Sequence, residues 1–140
     1  MPARKRPKLP SRLEHVEQAE FIAWCEAMKG RTPELGRVAA VPNFSGRMGH
    51  LTIRHSQRLN AEGRRRGYPD LLLDVARGGY HGLRLETKRT DATPSDVSPE
   101  QRDWHAWLES QGYRVVVCKG WEALRDATLA YLALPKQQAA

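Results

Sequence analysis

The stretch Gly67-Tyr68-Pro69-Asp70-Leu71-Leu72-Leu73-Asp74-Val75, followed after a Gly-rich turn by Leu83-Arg84-Leu85-Glu86-Thr87-Lys88, decides how the chain is read. Both runs are strand-like, and Gly78-Gly79-Tyr80-His81-Gly82 joins them as an antiparallel pair. Alternation along a strand puts Glu86 and Lys88 on one face, with Leu83, Leu85 and Thr87 on the other. One run opens on Asp70 after a proline and the other ends in Glu-x-Lys, so three charged groups stand where a sheet should be apolar. Two carboxylates converging with a lysine suit a hard divalent cation and a phosphodiester. Carboxylate oxygens hold Mg²⁺ or Mn²⁺, while the ammonium steadies negative charge or orients an attacking water. The pattern is short, and a solvated edge strand bearing an ion pair would carry the same residues.

Downstream, Thr90 to Val97 reads as a loop, and Ser98-Pro99-Glu100-Gln101 starts a helix with Ser as N-cap, Pro at the first position and Gln reaching back. That helix carries Trp104, Trp107 and Leu108 to a stop at Gly112; the two tryptophans are either core or apolar surface for a second copy. Tyr113-Arg114-Val115-Val116-Val117-Cys118 reads as a buried strand. Reached through a crossover helix, it should run parallel to the strand of Glu86 and Lys88. A last amphipathic helix spans 121–134, before a polar tail at 135–140.

Upstream, Arg64-Arg65-Arg66 delivers three cations beside Asp70; a solvated turn is the alternative reading. Three adjacent side chains cannot all face one way, so about two of them would meet a ligand. A short basic helix is expected over 52–62, ended by Gly63 at C′. Before it, Asn43 to His50 is a polar Gly-rich loop whose Arg47 and His50 can reach phosphates, and Val38 to Val41 reads as an edge strand. Ser11 with Glu14 makes a capping box for a first helix whose apolar face gathers Leu13, Val16, Ala23, Trp24 and Ala27. Glu17 lies at the edge of that stripe; an ordinary surface glutamate is the competing reading. The order of elements is α/β, one mixed sheet covered by helices.

The totals narrow the function. The chain of 140 residues is long enough for one domain with a real core, here 11–134, behind a basic arm over 1–10 expected to be disordered. A formal charge of +7 points to a polyanionic partner. Two cysteines, Cys25 and Cys118, make neither a disulfide framework nor a zinc cluster and fit a reducing cytosol. There is no Walker spacing, no apolar run of the ~18 residues a membrane span needs, and no apolar secretion core near the start. Aromatic strand motifs of the RRM type are missing, which disfavours an RNA-binding accessory role.

Gly67-Tyr68-Pro69-Asp70, Glu86-Thr87-Lys88, Ser98-Pro99-Glu100-Gln101 and Gly112-Tyr113-Arg114-Val115, taken in order over about residues 14–132, resemble the VRR-NUC nucleases of the PD-(D/E)xK superfamily, especially small stand-alone members carried by phages and prophages. The resemblance implies a restriction-endonuclease-like fold and a Mg²⁺- or Mn²⁺-dependent DNA endonuclease. Position by position, it makes Asp70 and Glu86 the metal ligands and Lys88 the catalytic lysine. It puts the first-helix acid on Glu17, where Gln18 also fits, with Glu14 as second choice. Gln101 falls on a further position near the active site. Thr87 stands where valine or a similar residue is expected; its side chain would face the opposite layer while its carbonyl joins the metal. Arg47, His50, Arg64, Arg65, Arg66 and Arg89 would meet DNA. Stand-alone relatives look like homodimers that cut branched, Holliday-junction-like DNA, implying a bacterial or phage-infected host cytosol. The alternative is a basic DNA-binding module without catalysis.

Overall fold

In the computed structural model, residues 12–42 and 49–136 are described, the side chains of 49–52 excepted. The architecture is built around the strand that ends in Glu-x-Lys. Four strands, β1 (Val38–Ala40), β2 (Leu71–Leu73), β3 (Leu83–Lys88) and β4 (Arg114–Lys119), form one sheet in the order β1-β2-β3-β4. β1 and β2 pair antiparallel, as do β2 and β3, whereas β3 and β4 are parallel through the expected crossover. β3 is therefore internal, and all six of its residues are buried. An edge strand with a solvated ion pair is excluded for it.

Alternation sorts the two faces of β3. Leu83 and Leu85, paired with Leu73 and Leu71, join Phe21, Cys25, Leu35, Cys118, Leu124 and Tyr131 in the apolar core. This face is covered by α1 (Glu14–Met28) and α4 (Trp121–Leu132). Fully burying a leucine contributes about 1.5–3 kcal/mol, so these pairs fix the register of the sheet. The other face presents Arg84, Glu86 and Lys88 toward α3 (Pro99–Ser110). One step beyond the Leu71–Leu85 pair, the same register sets Asp70 opposite Glu86.

Caps explain where one helix begins and where another ends. At α3 both halves of the box are made: the Gln101 N–H donates to Ser98 Oγ at 3.1 Å, and the Ser98 N–H donates to Gln101 Oε1 at 2.9 Å. α2 (Gly49–Ala61) ends as expected at Gly63, φ +107, with the Gly63 N–H on the Asn60 carbonyl and the Arg64 N–H on that of Leu59.

Two expectations are corrected. α1 starts at Glu14 behind Leu13, with no side-chain cap, so the box placed on Ser11 is not the start of the helix; Ser11 itself lies outside the described residues. The buried stripe of α1 is Glu17, Phe21 and Cys25, rotated from the predicted face, because the helix docks on α4 and the sheet through Phe21, with Trp24 only partly buried beside the core. The first residues after α4 contact the fold. Lys136 bridges to Arg77, and the Gly78 N–H donates to the Pro135 carbonyl at 2.8 Å. The arm over 1–10, the loop over 43–48 with Arg47, the side chain of His50 and residues 137–140 lie outside the described residues.

Candidate active site

Where β2 and β3 meet the first turns of α1 and α3, a cleft of about 800 Å³ is lined by Glu14, Gln18, Asp70, Glu86, Thr87, Lys88 and Gln101, and extends along α1 to Ala40, Val41 and Pro42. Asp70 enters it because Pro69 turns the chain into β2, and its Oδ2 accepts the Thr87 N–H at 2.8 Å. Glu86 and Lys88 enter because they share the face of β3 that looks at α3. Glu86 is 1% exposed and Lys88 is 6% exposed, so both are held by protein rather than by water.

Gln101 organises the pair. Its Nε2 donates to Glu86 Oε1 at 2.6 Å, and its Oε1 accepts from Lys88 Nζ at 3.1 Å as well as from the Ser98 N–H. One amide thus spaces the acid from the base while serving as the N3 half of the α3 cap. Burial pushes the Glu86 carboxyl up to about 7; the charge of Asp70 adds to the rise, and His105 and Lys88 oppose it. Glu14 is also raised, by burial first, with Lys88 lowering it and Asp70 raising it further.

Glu17 is placed elsewhere. Its Oε2 accepts the Trp121 N–H at 2.7 Å, at the start of α4, and Arg12 grips both oxygens at 2.8 and 3.0 Å. Gly120, the N-cap of α4, has no side chain to offer, so a carboxylate from the first helix caps the last one. The Arg12 guanidinium holds Glu17 below the usual carboxylate range, with the Trp121 N–H adding to the effect. Glu17 does not line the cleft, and Glu14 one turn earlier does. Glu17 was expected at the edge of the apolar stripe, and it lies within the buried stripe that forms.

The basic residues separate in the same way. Arg65 and Arg66 are exposed and make no ion pair among the described residues, whereas Arg64 lies back along α2, bonding Asn60 Oδ1 at 2.9 Å and Ser56 Oγ at 2.5 Å. Arg89 pairs with Asp91 at 3.4 Å beside the cleft. Two residues escaped the sequence reading. His105 stands with Nε2 3.5 Å from Glu86 Oε2, and its spacing of four from Gln101 was the available signal. Arg84, buried on the charged face of β3, bonds the Tyr68 hydroxyl and Asp74 and covers the Tyr113 ring at 4.3 Å.

A family model described as the VRR-NUC domain matches residues 8–122. The chain belongs to the VRR-NUC family. A solved structure titled "VRR_NUC domain protein" is similar to it at 28% identity and a TM-score of 0.73, over 91% of this chain and 94% of that one. No curated protein matches the sequence. The mixed sheet with its four helices is thus the nuclease-type fold of VRR-NUC domains, a family that is generally nucleolytic. No helix among the described residues is long and apolar enough to cross a membrane.

The donors of this VRR-NUC cleft fit a hard divalent cation. Among the described residues Glu86 Oε2 is buried without a hydrogen-bond partner, and its carboxyl is pushed up, chiefly by burial, with Asp70 adding to the rise, so positive charge placed there would relieve both acids. No three His, Cys, Asp or Glu side chains stand together as a cage among the described residues. Such a sparse set matches Mg²⁺, which takes one or two carboxylates and fills its shell with water and substrate phosphate.

Proposed function

We propose that this VRR-NUC protein is a Mg²⁺- or Mn²⁺-dependent DNA endonuclease that hydrolyses phosphodiester bonds at the cleft between β3, α1 and α3. The observation that supports this best is the shared position of Asp70, Glu86 and Lys88 on one cleft wall, the two acids near enough to feel each other's charge. Asp70, Glu86 and the Thr87 carbonyl would hold the cation, with Glu14, rather than the first-assigned Glu17, acting on it through bound water. When bound, the ion supplies charge neutralisation at the phosphate and an acidified water. Lys88, aimed by Gln101, donates hydrogen bonds to the attacking water or to the phosphate oxygen as charge builds. Asp70 is oriented by the Thr87 N–H and Glu86 by Gln101, so the acids are arranged before substrate arrives.

Arg65 and Arg66 supply backbone affinity in this reading, together with Arg89, Arg64, Arg47 and His50. Branched, Holliday-junction-like DNA is the substrate we favour, cut by a homodimer whose two-fold axis matches that of the junction. Trp107, 54% exposed on α3, is the kind of apolar surface a second copy would cover. Flap, junction and duplex DNA incubated with Mn²⁺, with and without EDTA, test the assignment. Cleavage is expected with metal only, and most strongly on junctions. Lys88→Ala should abolish cleavage and leave DNA binding intact, whereas Asp70→Asn should abolish cleavage and Mn²⁺ binding by calorimetry. Binding without cleavage on every substrate would leave a basic DNA-binding module.

A further inference from the structure

On α3, Gln101 and His105 are four residues apart and face the same carboxylate. Gln101 Nε2 holds Glu86 Oε1 at 2.6 Å, and His105 Nε2 stands 3.5 Å from Glu86 Oε2. Among the described residues neither His105 Nε2 nor Glu86 Oε2 has another hydrogen-bond partner, and both atoms are sealed from solvent. The His105 side chain is 12% exposed and that of Glu86 is 2% exposed, so water does not stand in for either. Two buried polar atoms that lack any alternative partner are costly apart, by about 1–3 kcal/mol each, and inexpensive together. A small turn of either side chain closes the gap, and such contacts often tighten only when a site fills.

We propose that His105 is a positioning residue for Glu86: its Nε2–H, opposite Gln101, clasps the second carboxylate oxygen and fixes the plane in which Glu86 meets the metal. This rests on the nuclease reading only for its catalytic consequence. The clasp itself is a property of the protein alone. Orienting donors of this kind change metal affinity by about 10–100-fold. His105 does not reach substrate; it acts through Glu86.

His105→Leu and His105→Gln separate orientation from packing, because the Gln amide brings an N–H to the place of Nε2 and Leu does not. Three measurements decide: crystal structures of the metal-free proteins, Mn²⁺ titration by calorimetry, and kcat and KM on junction DNA. In His105→Leu the Glu86 carboxylate should turn away from its native plane, Mn²⁺ affinity should fall about ten-fold, and kcat should drop with KM unchanged. His105→Gln should restore all three. A Glu86 that keeps its plane in His105→Leu overturns the proposal, as does a folded His105→Gln no better than His105→Leu. If the unmodified protein takes up no Mn²⁺, the nuclease reading fails, and the plane of Glu86 in the two variants still decides the role of His105.

Discussion

At the scale of single residues, the cleft is defined by what burial does to Glu86. Its folded pKa of about 7 lies above the ordinary 4.5, chiefly through desolvation. In the metal-free protein the folded state therefore holds a proton that the unfolded chain releases, and stability falls as pH rises from about 4.5 to 7. The loss is on the order of 3 kcal/mol, complete above the folded pKa. Urea denaturation at pH 5 and pH 8 should show it, Glu86→Gln should flatten the profile, and added Mn²⁺ should restore stability at pH 8. A second pair of variants separates the acids of α1. Glu14→Gln should weaken Mn²⁺ binding without moving the thermal midpoint, while Glu17→Gln should lower the midpoint and leave Mn²⁺ affinity alone. That Asp70, Glu86 and Lys88 line one cleft was legible in the sequence because strand alternation is rigid. The burial of Glu17 was not legible, because a helix stripe is set by what docks on it, and the partner at Trp121 lies 104 residues away.

Among the elements, α3 is the one whose seat matters most to the cleft. Gly67 makes that seat: its φ of +88° suits glycine, and a Cβ there would lie 2.5 Å from the Glu100 carbonyl carbon and 2.7 Å from the Gln101 nitrogen. Backbone on both sides leaves no slack. Gly67→Ala should push the first turn of α3 outward, break the Gln101 contacts and suppress cleavage more than it lowers stability; parallel measurement of kcat and of the unfolding midpoint checks this. The start of α3 was readable from Ser98, Pro99 and Gln101 because a cap is a local interaction. The closeness of Gly67 to that turn was not, since it depends on how the loop before β2 meets a helix 32 residues later in the chain. The parallel pairing of β3 with β4 was readable, because a crossover helix leaves one handed route.

For the whole molecule, the formal charge of +7 is distributed so that Arg65 and Arg66 stay open while Arg64 and Arg89 are engaged with the protein. If these two meet phosphates, Arg65→Ala with Arg66→Ala should weaken binding evenly across DNA shapes. It should also cut the slope of log affinity against log salt by about two. Composition announced a polyanionic partner but did not say which arginines were available, because that follows from helix geometry around Gly63. The carboxylate of Glu17, finally, ties the first helix to the first amide of the last. A chain growing from the ribosome has no such amide until residue 121 has emerged. Until then the α1 wall of the cleft lacks this anchor, so the cleft is completed only late in synthesis.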